Sequence, residues 1–118
     1  MATSRPVRLC NNRTTSLAVD DADVAVVQKM KTAGLKTVVV LVAGRPLILD
    51  KILPIADAIV VAWLPGTEGA GVTDVLFGYE HPTGKLPITW PSSESQLPIH
   101  QGDATYNPLH PYGYGLTC

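Results

Sequence analysis

Serine, histidine and aspartate side chains that could form a hydrolytic triad lie in the C-terminal third of the sequence. Ser92, Ser93 and Asp103 occur there together with three histidines: His81, His100 and His110. No GxSxG turn precedes either serine, and the surrounding prolines leave no regular scaffold to position a nucleophile against a base. The histidine spacing also fails to match a zinc site. We therefore predict neither a triad nor a bound metal.

Glu68 and Asp74 are the other candidates, because two carboxylates can act as the acid and base of glycosidic-bond hydrolysis. That chemistry needs carboxyl groups roughly 5–10 Å apart around one bond. The two residues are six apart in a predicted helix, which puts them on different faces. Glu68 is explained as well by a first-turn position, where it would favour the helix dipole. We predict structural roles for both.

A glycine-rich turn, Gly66-Thr67-Glu68-Gly69-Ala70-Gly71, follows a predicted strand and opens a predicted helix. Backbone N–H groups at such a place can bind phosphate, which leaves a phosphate-binding α/β protein as one alternative. The spacing matches neither GxGxxG nor a P-loop, and Glu68 would repel an anion. A tight strand-to-helix turn is the preferred interpretation, and we expect no cofactor.

Aromatic residues, cysteines and a sequon complete the candidates. Five aromatic residues could stack on sugar rings, although aromatic residues beside Pro and Gly more often pack beneath loops: Trp63, Trp90, Tyr106, Tyr112 and Tyr114. Cys10 and Cys118 are predicted to be free thiols, with a bridge between them as the alternative. Asn12-Arg13-Thr14 is a glycosylation sequon that matters only in a secretory pathway.

The elements that must position these residues follow from the hydrophobic pattern. An amphipathic helix is predicted from about Asp21 to Ala33, with Asp20 or Asp21 as its N-cap and Gly34 at its end. Uninterrupted apolar runs at Thr37 to Ala43 and Asp57 to Trp63 predict two buried parallel strands. Leu47 to Leu53 fits a short helix or an extended connection. A second helix is predicted from Thr67 to Phe77, which ends at Gly78.

Residues 79–118 have a different character, because six prolines between Pro82 and Pro111 leave room only for a short strand at Leu86 to Trp90. We predict that this proline-rich C-terminal segment wraps around the same domain. The fold class is α/β, a partial layered α/β/α sandwich with a mainly parallel sheet, and residues 1–118 form a single partial domain.

Composition limits the partners. The chain has 46% hydrophobic residues and nine basic against ten acidic residues, so a folded body without an electrostatic footprint for nucleic acid or an anionic membrane is expected. The run from Thr37 to Ala43 is too short to span a bilayer. The first residues lack the apolar core of a secretory signal, and localisation is left unassigned.

Several blocks occur in the order and spacing of one known family. These are Val39 to Leu47, Ala62 to Gly69, Asp74 to Gly78, Thr83 to Trp90, Gln96 to Pro98 and Tyr106 to Leu116. Over about Asn11 to Thr117 the chain resembles the C-terminal part of the second domain of glycoside hydrolase family 3, in particular its β-glucosidases and β-glucan exohydrolases. The resemblance implies a retaining hydrolase that releases glucose from β-glucans or β-glucosides at a site between two domains.

The resemblance also implies where the catalytic carboxylates belong. The family's nucleophilic Asp lies in a barrel domain, and its acid/base Glu lies in a loop shortly before a Gly-Asp-Asn or Gly-Asp-Arg step. Asn11-Asn12-Arg13 occupies that step here, and no Asp or Glu precedes Asp20. No catalytic residue can therefore be carried over to this sequence.

Three functions remain as interpretations. The first is a fragment of a β-glucosidase or exo-β-glucanase that is inactive alone, with the parent's barrel domain as its partner and a β-glucan or β-glucoside as substrate only in the complete enzyme. The second is a non-catalytic module that binds sugar or a protein partner, and the third is the phosphate-binding protein. About half of the family's domain is expected to be missing, so unpaired strand edges would make the chain marginally stable or self-associating.

Overall fold

The computed structural model describes residues 7–9 and 16–117, which belong to two compact units, Met1–Leu64 and Pro65–Cys118. Cys10, Cys118 and the Asn12-Arg13-Thr14 sequon lie outside the described residues, so thiol state and glycosylation remain predictions. None of the helices in the described part of the chain combines the length and apolar character needed to cross a membrane.

Helix α1 spans Asp21–Thr32 in the first unit, close to its predicted bounds. Asp20 is the N-cap, and its Oδ1 accepts a hydrogen bond from the Ala22 N–H (3.1 Å). At the other end Gly34 has a φ of +74°, and the Leu35 N–H donates to the Met30 carbonyl (3.1 Å). This Schellman ending confirms the left-handed glycine that the sequence indicates.

A three-stranded parallel sheet forms the centre of the first unit. Strands β1 (Val7–Leu9), β2 (Val38–Leu41) and β3 (Ala58–Val61) lie in the order β1-β2-β3, and helix α1 lies beside β1. Strand β2 is therefore central, and Val39, Val40 and Leu41 are all buried. Burial of each such side chain contributes about 1.5–3 kcal/mol. The predicted parallel pairing of the two apolar runs is confirmed, and with it the α/β class.

The connection from β2 to β3 contributes as much to the core as the strands do. It begins extended, with Ile48 in a parallel bridge to Ala18, and then turns so that the Leu53 N–H donates to the Leu49 carbonyl (2.9 Å). Leu47, Ile48, Leu49 and Ile52 are buried. The segment is extended at Ile48 and forms turns from Asp50 onward, so neither of the two predicted forms holds over its whole length.

Strand β3 is less buried than the sequence predicts. The sequence predicts burial of the run Asp57 to Trp63 on both faces, but Ala58 is exposed and Ile59 to Val61 are only half-buried. The reason is its place in the sheet: β3 pairs only with β2 in the part of the chain that the structure describes. Apolar content predicts the strand, but its burial depends on how many neighbours it finds.

The second unit begins with helix α2, which spans Gly69–Leu76 and is shorter than predicted at both ends. Gly78 has a φ of +77°, and the Tyr79 N–H donates to the Asp74 carbonyl (2.8 Å), so α2 also ends in a Schellman motif. The geometry confirms the glycine cap that the sequence predicts at this residue.

The predicted strand at Leu86 to Trp90 does not form as a regular strand. The Trp90 N–H donates to the His110 carbonyl (2.9 Å), and the Leu86 N–H donates to the Tyr114 carbonyl (2.8 Å), which is one antiparallel register. Residues alternate between facing the partner and facing away in such a ladder, so Ile88 and Tyr112 would form the next pair, but the Tyr112 N–H donates to the Tyr106 hydroxyl instead (3.2 Å). The segment is therefore an interrupted antiparallel ribbon that is bonded at its two ends, and Trp90 is buried beneath it at 1% exposure.

Candidate functional site

The carboxyl edge of the parallel sheet is the part of the first unit best placed to bind or support a ligand, because ligands of α/β sheets bind outside the carboxyl ends of the strands. Strand β2 leads there into Gly44 and Arg45. The Arg45 guanidinium donates through Nη2 to the Ser16 carbonyl (3.3 Å). A methyl group on Gly44 would lie 3.3 Å from Cδ1 of Leu64, so the two strand exits approach closely.

Trp63 follows β3 at this edge in a conformation that non-glycine residues rarely adopt. Its φ is +53°, the left-handed region, which costs a side-chain-bearing residue about 1–2 kcal/mol. Such strain persists only where the surrounding structure requires it, and it concentrates at functional positions. The Trp63 side chain is half-buried. The carboxyl edge thus carries an anchored arginine and a strained tryptophan.

At the amino ends of the strands, Asp57 links the start of β3 to the start of β2. Its Oδ2 accepts the Thr37 N–H (2.8 Å), and its own N–H donates to the Thr37 carbonyl (2.9 Å). Lys31 and Lys36 each place Nζ 3.6 Å from Oδ1. The bond from Thr37, followed by the charges of the two lysines, lowers the pKa of the Asp57 carboxyl. This arrangement joins the entrances of β2 and β3 and is structural.

Glu68 and Asp74 lie at different positions along α2. Glu68 is exposed at the N-cap of α2 rather than in its first turn, and its side chain makes no capping bond. Asp74 is half-buried in the last turns of the helix, about 9 Å further along the axis at 1.5 Å per residue. The turn before the helix is tight, because Gly66 has a φ of +59° and the Glu68 N–H donates to the Pro65 carbonyl (3.0 Å). This geometry agrees with the strand-to-helix turn that is preferred over a phosphate site.

Three of the triad candidates, Asp103, Ser93 and His110, interact with other groups in the structure. The Asp103 carboxylate accepts the His100 backbone N–H (2.7 Å), and the Ser93 and Ser95 hydroxyls bond to each other (2.8 Å). His110 stacks on Tyr114 with ring centroids 4.2 Å apart, and burial lowers the pKa of its imidazole. Over residues 16–117 no cluster of three His, Cys, Asp or Glu side chains could hold a metal ion.

The aromatic candidates divide by exposure. Trp90 is buried and cannot reach a sugar. The Tyr106 hydroxyl bonds to the Thr89 hydroxyl (2.9 Å) and accepts a hydrogen bond from the Tyr112 N–H (3.2 Å). Tyr106 therefore links the two segments of the antiparallel ribbon. Tyr112 itself is 57% exposed, and Tyr114, on the His110 ring, is 39% exposed. Packing explains Trp90 and Tyr106, whereas the two exposed tyrosines keep a surface that could contact a partner.

Two acidic residues near α1 show perturbed ionisation. Partial burial, with a smaller contribution from the charge of Asp20, raises the pKa of Asp23. A hydrogen bond and the charge of Lys51, whose Nζ lies 2.6 Å from Oδ1, lower the pKa of Asp21. Asp20 is occupied as the N-cap, so the pair Asp20 and Asp23 belongs to the start of the helix rather than to an acid and base site.

Comparison with known families decides the identity of this fold. The family model described as the glycosyl hydrolase family 3 C-terminal domain matches residues 8–118. The chain belongs to glycosyl hydrolase family 3. The expectation from the sequence blocks is confirmed, and family 3 membership is favoured over a phosphate-binding protein by the extent of this match.

Relatives of this family 3 chain include glycosidases of two kinds. It is 35% identical to a periplasmic β-glucosidase of Salmonella typhimurium, over 87% of the chain and 16% of that relative. It is 36% identical to a xylan 1,4-β-xylosidase of Xylanibacter ruminicola, over 87% of the chain and 13% of that relative. The chain therefore spans less than a fifth of the length of these relatives.

Solved structures of family 3 enzymes share the fold. An exo-1,3/1,4-β-glucanase from a Pseudoalteromonas species matches 80% of the chain and 12% of its own length, with 44% identity and a TM-score of 0.75. A β-glucosidase from Listeria innocua in complex with isofagomine matches 88% of the chain and 18% of its own length, with 27% identity and a TM-score of 0.77. The chain is thus a C-terminal domain segment of the kind found in larger family 3 enzymes.

Arg45 and Trp63 are not singled out by the sequence as neighbours at one edge. The available signal is their order, since Arg45 comes two residues after one predicted strand, Trp63 ends the other, and the exits of parallel strands meet at one edge of a sheet. The left-handed backbone of Trp63 has no signal, because Trp is not a residue type that favours that region.

Proposed function

We propose that this chain serves as the part of a β-glucosidase or exo-β-glucanase that supports the active site and performs no hydrolysis of its own. The observation that carries the proposal is the family match over residues 8–118 in a chain that spans less than a fifth of the length of its relatives. Because the match extends across both compact units, we also propose that both belong to one domain of the parent enzyme, with residues 79–118 as its irregular C-terminal segment.

Three of the ten acidic residues support the proposal, because they already have structural partners. Retaining hydrolysis needs two carboxyl groups about 5 Å apart, one as nucleophile and one as acid/base. Asp20 caps a helix, Asp57 closes the strand entrances, and Asp21 is paired with Lys51. In addition, no Asp or Glu stands before Asp20, where the resemblance would require the acid/base.

The carboxyl edge of the sheet is the region that we propose to face the active site of the complete enzyme. Arg45 binds the Ser16 carbonyl, and the Ile48 N–H donates to the carbonyl of the next residue, Leu17 (2.8 Å). Both bonds hold the backbone a few residues after the Asn11-Asn12-Arg13 step, which lies outside the described residues. The role proposed for Arg45 is to position this backbone.

The parent's barrel domain, which would contribute the nucleophile, is the proposed partner, and a β-glucoside or β-glucan is the proposed substrate of the complete enzyme. The names of the relatives also include β-xylosidases, so β-xylosides are the alternative substrate class. No nucleic-acid or membrane partner is proposed.

Binding and turnover measurements on the purified chain test the proposal. Titration with glucose, cellobiose, laminaribiose and a nucleotide should give feeble affinity for all four, and aryl β-glucosides and β-xylosides should not be hydrolysed. A clear preference for one sugar would favour the non-catalytic binding module, through the exposed Tyr112 and Tyr114. Nucleotide binding would favour the glycine-rich turn. Either result would overturn the supporting role as the chain's own function.

A further inference from the structure

We draw no further inference here: the strongest candidate, the exposed aromatic patch that Tyr112 and Tyr114 form beside the His110 ring at one end of the antiparallel ribbon, carries nothing because nothing in the structure shows what covers it.

Discussion

Replacement of Leu41 by alanine tests the central position of β2. Leu41 is 1% exposed in a strand that has a parallel neighbour on each side, so truncation leaves a cavity between packed elements. Fully buried Leu→Ala changes cost about 2.7–5 kcal/mol, the sum of lost transfer free energy and the cavity. We expect about 3 kcal/mol, a large fraction of the stability of a chain this size.

Urea unfolding, followed by circular dichroism and by the fluorescence of Trp63 and Trp90, measures this change. With a slope of about 2 kcal/mol per molar urea, the midpoint should fall by roughly 1.5 M. Val38→Ala is the control on the same strand, because Val38 is 37% exposed and should lose only about 1 kcal/mol or less. Equal shifts for the two variants, at matched protein concentration, would refute the central placement of β2.

Three further predictions concern ionisation, backbone packing and activity. Asp57→Asn should be less stable than the parent at neutral pH, and the difference should shrink as pH falls below about 4. The folded state lowers the pKa of Asp57, so the stabilisation by its carboxylate is fully present above the ordinary carboxyl pKa of about 4 and is lost as pH falls through the lower folded-state pKa. A difference in urea midpoint that does not change with pH would contradict this. Gly115→Ala should destabilise by about 1–3 kcal/mol in thermal unfolding, because its new methyl group would collide with the Gly84 carbonyl oxygen, whereas Gly84→Ala meets no atom within 4 Å and should change little. The purified chain and its Glu68→Gln variant should both fail to hydrolyse aryl β-glucosides. Turnover by the unmodified chain that is lost in the variant would make Glu68 catalytic and overturn the proposed function.

Local features of the fold were predictable from short stretches of sequence. Asp20 at the N-cap of α1 and the glycines Gly34 and Gly78 act through bonds to residues a few positions away, so their roles follow from residue type and order. The β-branched run in β2 likewise indicated a strand buried on both faces. The family blocks added the identity of the fold, because their order and spacing are specific even where single motifs are weak.

The candidate site was less accessible to such reasoning. The sequence placed Glu68 inside the first turn of the helix, whereas the structure places it at the N-cap. The sequence could not show that Arg45 holds the Ser16 carbonyl or that Trp63 adopts a left-handed backbone. Both depend on contacts between segments that are distant in sequence.

Sequence alone determined the positions of both helices and of the apolar strands β2 and β3, the glycines at which the helices end, and the family that the chain resembles, since these depend on local hydrogen bonds, hydrophobic period and motif order. Tertiary structure alone decided that β3 is an edge strand with half-buried side chains, that Asp57 connects the entrances of β2 and β3, and that the Tyr112 N–H bonds to Tyr106 rather than to the segment from Leu86 to Trp90. The physical reason is that burial and strand pairing are set by neighbours brought together by the fold. An apolar run is a buried core strand when it has two neighbours and a half-buried edge strand when it has one.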